Sequence, residues 1–345
     1  MKKSKAYYRG CLLGGAIGDA LGYPVEFMSY DEIRETYGEK GIRDLICDET
    51  TGKALVSDDT QMTIFTVDGL LWADSKVKSK GIYSYIPCLF YSYQKWLYTQ
   101  TGSFADKAYE FLLQGEILKW EELFARRAPG KTCLTALSGS INGKFGTIKN
   151  RINESKGCGA VMRAAPIGLY FAKDPARAFA MGCECGAITH GHPSGFLSAG
   201  LLAWIIACIA SGKELKESVE SGLEELQKHH GCEEVLEKVR RALTLAEDGG
   251  DPYQGLVSIG EGWVGEEAIA IAIFAALKHS NDFREAVCLA ANHGGDSDST
   301  AAICGNIMGA HLGSLEIPYT WIRNIELSDL LVHGADELLK ASKTL

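Results

Sequence analysis

Basic residues are scarce in this chain. It carries 35 Lys and Arg against 44 Asp and Glu, a net charge of −9 at pH 7, and no broad basic stripe offsets that balance. A nucleic-acid backbone is therefore not the expected partner. Long apolar runs are also missing. The most apolar stretch, Phe196 to Ala210, falls short of the ~20 residues that span a bilayer, so no membrane partner or transmembrane segment is expected. MKKSKAYYRG at the start is positively charged, but the CLLGGAIGDALG that follows is interrupted by glycines and contains an Asp. It reads as a buried helix, not as a signal peptide. Nor is there a disulfide framework. The 11 cysteines are scattered, an odd number cannot all pair, and Cys183 and Cys185, the only tight pair, are poorly spaced for structural zinc. Reduced thiols in a cytoplasmic protein are the expectation. No strand ladder, fixed-period repeat or linker can be found.

What remains is helical periodicity over 345 residues, 46% of them hydrophobic, enough for a substantial core. Tyr8 to Leu21 places Leu13, Ala16, Ile17 and Ala20 on one side, while Gly14, Gly15 and Gly18 weaken it alone but permit close approach of another helix. Ser29 and Glu32 form a capping box. Before Val56 the chain is irregular, with room for a short hairpin. Helices are expected over Tyr83 to Tyr98 and Phe104 to Ala125, then from Thr132 to Glu154 loop around at most a short helix. Asp174-Pro175 opens a helix running to Ile188. Phe196 to Ala210 and Ala268 to Leu277 read as buried helices, with Trp263 expected in the core. Lys213 to Lys228 and Glu233 to Glu247 read as solvated outer helices, and Leu327 to Leu339 as the last amphipathic one. One all-α domain over residues 1–345 is the expected architecture.

Two helices open unusually. Ser57-Asp58-Asp59-Thr60 precedes the apolar run beginning at Met62, and Asp296-Ser297-Asp298-Ser299 precedes the one beginning at Ala302. One acceptor at a helix N-terminus is explained by capping and the macrodipole. Two carboxylates with flanking hydroxyls exceed what one cap needs, and they supply the hard oxygen donors of a Mg²⁺, Mn²⁺ or Ca²⁺ site. Either opening alone fits both readings; the pair together favours a shared carboxylate-rich site. Ser155-Lys156-Gly157-Cys158-Gly159 is a glycine-rich turn leading into Val161-Met162-Arg163. Its N–H groups suit a phosphate, but it lacks Walker spacing and taken alone reads better as a plain helix-entry loop. His190 and His192 lack a third zinc ligand at suitable spacing and read as structural or ligand-bonding groups.

Taken together, GCLLGGAIGDALG, SDDTQM, KGCGAVMRAAPIGL, THGHPSGFLSAG and NHGGDSDSTAAICGNIMGA resemble the ADP-ribosylglycohydrolase family in composition and order, over most of the chain. The resemblance implies a compact orthogonal bundle of helices and a site holding two divalent cations, Mg²⁺ or Mn²⁺. Ser57, Asp58, Asp59, Asp296, Asp298 and Ser299 fall on the family's metal-binding motifs. Glu26 falls on the loop Glu over the site, and Ser155, Lys156, Gly157, Cys158 and Gly159 on the loop that wraps a diphosphate. His190 falls on a His that contacts ribose. Ser57 and Ser299 stand where relatives often have Thr, and Cys158 where some have Asn.

The implied activity is hydrolysis of the bond between the distal ribose of ADP-ribose and an acceptor, with protein arginine foremost. Glu26 and Asp59 are the candidates for proton transfer, and the expected partner is an ADP-ribosylated protein or small-molecule conjugate. O-linked or small-molecule conjugates, and a non-catalytic ADP-ribose-binding or structural protein on the same scaffold, are the alternatives. Retention of every acidic ligand argues against the last.

Overall fold

The glycines that weaken the first helix in isolation are what seat it in the centre of the molecule. The computed structural model describes residues 4–343, so the ends of the expected 1–345 domain lie outside the described residues. Within that span the helices are α1 (Lys5–Gly22), α2 (Tyr30–Tyr37), α3 (Asp58–Lys80), α4 (Tyr85–Thr101), α5 (Lys131–Ser138) and α6 (Ala165–Tyr170). There follow α7 (Pro175–Ala187), α8 (Pro193–Ser211), α9 (Leu215–Leu226), α10 (Glu233–Glu247) and α11 (Pro252–Val257). The last are α12 (Gly265–Lys278), α13 (Phe283–Ala291), α14 (Ser297–Leu312), α15 (Tyr319–Asn324) and α16 (Ser328–Lys343). No strand occurs among the described residues, only isolated bridges such as Cys47 to Ala54, so the all-α expectation is met.

Helices α1 and α14 lie antiparallel, backbone against backbone. A Cβ on Gly14 would stand 2.3 Å from the Gly305 carbonyl oxygen, one on Gly18 2.0 Å from that of Ala301, and one on Gly22 2.2 Å from that of Ser297. From the other side, a Cβ on Gly309 would meet the Gly10 oxygen at 1.9 Å. Any side chain at these positions would force the helices apart. Asn306 locks the register by donating to the Cys11 carbonyl at 2.8 Å. Each step of four residues forward in α1 matches four backward in α14, so the C-terminal end of α1 meets the N-terminal end of α14.

Around this pair the apolar side chains form one continuous core from Tyr8 to Ala341. Helix α8 begins earlier than its apolar run suggested, because His192 caps it by accepting from Ser194 N and Pro193 occupies its first turn. At 19 residues it is long and apolar enough to cross a membrane, yet 89% of its apolar window is buried inside the bundle, which accounts for its hydrophobicity as core. The helix expected over Phe104 to Ala125 is replaced by three 3₁₀ turns, Lys107–Gln114, Glu116–Lys119 and Glu121–Phe124. Extended backbone at Gly115 and Trp120 separates them. Tyr109, Leu112, Ile117 and Leu123 are buried, so the segment follows the surface and inserts an apolar residue at intervals instead of burying a continuous helical face. The possible hairpin before Val56 is reduced to one antiparallel bridge, Cys47 to Ala54, around a turn in which Asp48 Oδ1 accepts from Thr50 N and Thr51 N.

Gly305→Ala is expected to lower stability by about 3 kcal/mol, because a backbone oxygen cannot yield as a flexible side chain would. Gly249→Ala, where a Cβ meets nothing within 4 Å, should stay within about 0.5 kcal/mol. Denaturant midpoints of the two variants check this, and a Gly305→Ala midpoint equal to wild type would contradict backbone contact.

Candidate active site

Asp19, near the end of α1, connects the central pair to the rest of the site. It is fully buried, and its carboxylate accepts from Ser57 N at 2.9 Å and Thr60 N at 3.0 Å, and from the Thr60 hydroxyl. It thus satisfies N–H groups at the start of α3 and brings that start against the start of α14. Motif reading passed over Asp19. The one signal was an acidic residue inside an otherwise apolar, small-residue helix.

The two acidic openings therefore share one cleft of about 320 Å³, lined by Asp58, Asp59, Asp296, Asp298 and Ser299. Their hydrogen bonds decide the capping question. At α3 the cap is Ser57, which accepts from Asp59 N at 3.2 Å. Asp58 is left to accept from Gly130 N at 2.9 Å, and Asp59 Oδ1 is buried with no partner. At α14 the capping position is held by Asp296, but its side chain makes no cap bond and accepts instead from the Cys158 thiol at 2.7 Å. Asp298 Oδ1 accepts from the neighbouring Ser299 N at 2.9 Å. Capping accounts for Ser57 and leaves the carboxylates unexplained. Ser57 itself lies behind the cleft wall, while Ser299 Oγ faces Cys158 Sγ at 3.6 Å.

Glu26, on the loop after α1, enters from the side, with Oε2 buried and unpartnered. Opposite it runs the glycine-rich turn. Gly157, Cys158 and Gly159 line the cleft, and Cys158–Ala160 forms a 3₁₀ turn instead of opening an α-helix, which starts only at Ala165. Two of the turn's N–H groups are already engaged, Cys158 N with the Trp263 carbonyl at 3.2 Å and Gly157 N with Ser155 Oγ at 3.4 Å. Two expected residues point elsewhere. Ser155 Oγ pairs with Thr132 Oγ1 at 3.0 Å, and Lys156 turns back to Glu266 at 2.9 Å and Glu234 at 3.1 Å, fastening the loop to α12 and α10. His190 is buried beneath the turn, where a Cβ on Gly157 or Gly159 would stand 3.4 or 3.3 Å from its Nε2.

Trp263 corrects an expectation. It is 36% exposed at the cleft mouth and stacks on Phe27, with ring centroids 5.2 Å apart. Phe27 is 71% exposed, with φ +68°. The glycines flanking Trp263 make the segment a loop, so its ring is carried out of the bundle. Phe27 left no pattern in the sequence, since one aromatic in an irregular loop has no periodicity.

Burial dominates the electrostatics. It pushes the Asp19 carboxyl up to about 7, with Asp298 adding repulsion, and Asp58 up to about 8. Glu26 rises to about 9, again first through burial and then through Asp298 and Asp296. Asp59, Asp296 and Asp298 are raised as well, with burial the leading cause. Among the described lining residues Lys131 is the sole Lys or Arg. His190 moves the other way, down to about 3, through burial and the Arg163 charge, and stays neutral. Among the described residues no three His, Cys, Asp or Glu side chains already converge as a ligand cluster. The cleft gathers hard oxygen donors around one space, of the kind a divalent cation takes.

The all-α bundle has counterparts among solved structures. An ADP-ribosylglycohydrolase-related protein complex superposes with a TM-score of 0.62 over 99% of this chain and 100% of that one, at 20% identity, which shows the fold. The ADP-ribosylglycohydrolase model matches residues 2–344, and the chain belongs to that family. A protein of Archaeoglobus fulgidus without assigned function is 28% identical, covering 96% of this chain and 95% of its own. The ADP-ribosyl-[dinitrogen reductase] glycohydrolase of Rhodospirillum rubrum is 25% identical over 92% of this chain and 90% of its own. ADP-ribosylarginine hydrolase Tri1 of Serratia proteamaculans is 24% identical over 96% and 78%. Family membership supports glycohydrolase activity on ADP-ribosyl groups.

The raised carboxyls fix the sign of a pH effect. Unfolded Asp and Glu release their protons near pH 4, whereas the folded cleft holds them until Asp19 ionises at about 7, Asp58 at about 8 and Glu26 at about 9. Between those limits the folded state binds more protons, so stability conferred at low pH is lost as pH rises. In chelator, the wild-type melting temperature should fall between about pH 5.5 and about pH 8.5, and Asp59→Asn should reduce the fall. Parallel slopes for the two proteins would argue against mutual repulsion in the cleft.

Proposed function

We propose that this protein hydrolyses the bond between the distal ribose of an ADP-ribosyl group and an arginine side chain, using two divalent cations, Mg²⁺ or Mn²⁺. The observation that carries the reading is the set of buried carboxylates without cationic partners at one cleft, Asp59 Oδ1 and Glu26 Oε2 having no hydrogen bond at all. Buried charge of one sign demands either protons or cations, and an all-oxygen donor set fits hard ions. Asp58, Asp59, Asp296 and Asp298 would hold them, with Ser299 supplying a hydroxyl; Ser57, its oxygen engaged as the α3 cap, does not line the cleft. When bound, such ions act as Lewis acids toward sugar hydroxyls and water.

The remaining chemistry falls to side chains. Cleavage develops positive charge at the anomeric carbon, which neighbouring carboxylates stabilise. Asp59, whose Oδ1 has no hydrogen-bond partner, would take a proton from the attacking water. Glu26, with its unpartnered Oε2 at the cleft, would give one to the departing guanidine nitrogen. His190 and Gly159 bind parts of the substrate remote from the broken bond. Arginine as the acceptor is supported by the name of the Serratia relative, an ADP-ribosylarginine hydrolase. Reduced thiols and the lack of a disulfide among the described cysteines suit the proposed cytoplasmic location.

Mg²⁺ or Mn²⁺ should raise the melting temperature in proportion to RT ln(1 + [L]/Kd), and EDTA should abolish release of ADP-ribose from an arginine conjugate. Asp298→Asn should lose more activity than the roughly 10–100-fold typical of an outer-shell partner, while its metal-free fold keeps or gains stability. Identical melting temperatures for both proteins with and without either ion would remove the metal centre from the proposal. Serine-linked and free conjugates assayed in parallel decide the acceptor, and turnover of the serine conjugate in preference would displace arginine.

Gly159→Val tests the loop. Its Cβ would stand 3.0 Å from both Cys133 Sγ and His190 Cε1, so ADP-ribose affinity, read by calorimetry, should drop about tenfold or more. Unchanged affinity in a folded variant would free the loop of any binding role.

A further inference from the structure

Arg163 is a large, fully buried side chain whose partners include no carboxylate. Its guanidinium lies 4.3 Å above the Tyr93 ring and donates to Cys133 Sγ at 3.3 Å and to the Cys185 carbonyl at 3.5 Å. Its one short bond goes to Thr189 Oγ1, at 2.7 Å. Arginine has only donors, so the Thr189 oxygen must accept there and its own proton must point away. Two acceptors are in reach, the Cys133 thiol and His190 Nδ1 at 2.8 Å, and the ring nitrogen is the stronger. Cys133 Sγ is a weak acceptor already engaged by Arg163.

The backbone holding this chain of bonds is itself pinned. Asn153 Nδ2 donates to the Thr189 carbonyl at 2.8 Å, and Asn153 Oδ1 accepts from Gly191 N at 2.9 Å and Ser155 N at 3.1 Å. Thr189 and the glycine-rich turn are thereby fixed relative to each other.

We propose that Arg163 and Thr189 are positioning residues that hold His190 as the neutral imidazole with its proton on Nε2, aimed beneath the glycine-rich turn at an oxygen of the bound ADP-ribose. The inference rests on the proposed occupancy of the cleft by ADP-ribose. The Nδ1 lone pair is taken by Thr189, so Nε2 must carry the hydrogen. The opposite tautomer would turn a lone pair toward hydroxyl or phosphate oxygens and repel the latter. Burial beside the Arg163 charge keeps a second proton off the ring, in agreement with its lowered pKa of about 3.

The test uses the whole chain with ¹⁵N-labelled histidine and two-bond ¹H–¹⁵N spectra, without ligand, the His190 signals being identified by their loss in His190→Gln. Wild type and Thr189→Ser should show an unprotonated Nδ1 and a protonated Nε2. Thr189→Val, of the same shape but with no hydroxyl, should show a mixture or the reverse. ADP-ribose affinity should fall roughly three- to tenfold in Thr189→Val, the size of one hydrogen bond, and return to within about twofold in Thr189→Ser. A merely structural Thr189 would move the melting temperature and leave the tautomer alone. Protonated Nδ1 in wild type, or an unchanged tautomer in Thr189→Val, overturns the proposal. Wild type that fails to bind ADP-ribose would instead overturn the reading of the cleft, and the spectra would still decide the relay.

Discussion

Backbone contact between α1 and α14 is the constraint on which the site depends. Glycines at Gly14, Gly18 and Gly22 let carbonyl oxygens of the partner helix come where Cβ atoms would stand. The gain is dispersion contact along the full seam and a register that one asparagine fixes. Because the helices are antiparallel and in step, the end of α1 can only meet the start of α14. Asp19 then reaches across to the start of α3, and two helix N-termini distant in sequence face one space.

That placement is electrostatically unfavourable by itself. Burial removes water from several carboxylates at once, and each raises the proton affinity of the others. Helix N-termini recover part of this through their dipoles, but no described Lys or Arg is arranged to neutralise the cluster. Arg163, the buried cation nearest in kind, is committed to thiols, a ring face and Thr189 on the other side of the glycine turn. Such a site is tolerated because a large core surrounds it, and the proposed cations would relieve it.

The cleft walls divide the work. The acidic wall stands on regular helices, whose packing gives it rigidity. The opposite wall is loop, stiffened by side chains that never enter the cleft: Lys156 tying down to Glu266 and Glu234, and Asn153 bridging to Gly191. The mouth carries the exposed Phe27 and Trp263 stack, apolar surface left at the point where a substrate would enter.

The sequence by itself determined the helical class, the close approach of α1, the capping box at Ser29 and the two acidic openings, because each is written in local spacing or in side-chain chemistry at a helix end. It also placed the glycine turn and His190 through the family resemblance. Only the tertiary structure decided whether Asp296 and Asp59 serve as caps, since that turns on which N–H groups they meet. Asp19, Thr189 and Arg163 were illegible for the same reason: their roles lie in partners far along the chain. Trp263 was misjudged because an aromatic's burial depends on where its loop is carried. The segment after Phe104 had helical periodicity but no continuous surface to bury it against, and packing, not pattern, stabilises a helix of ordinary propensity.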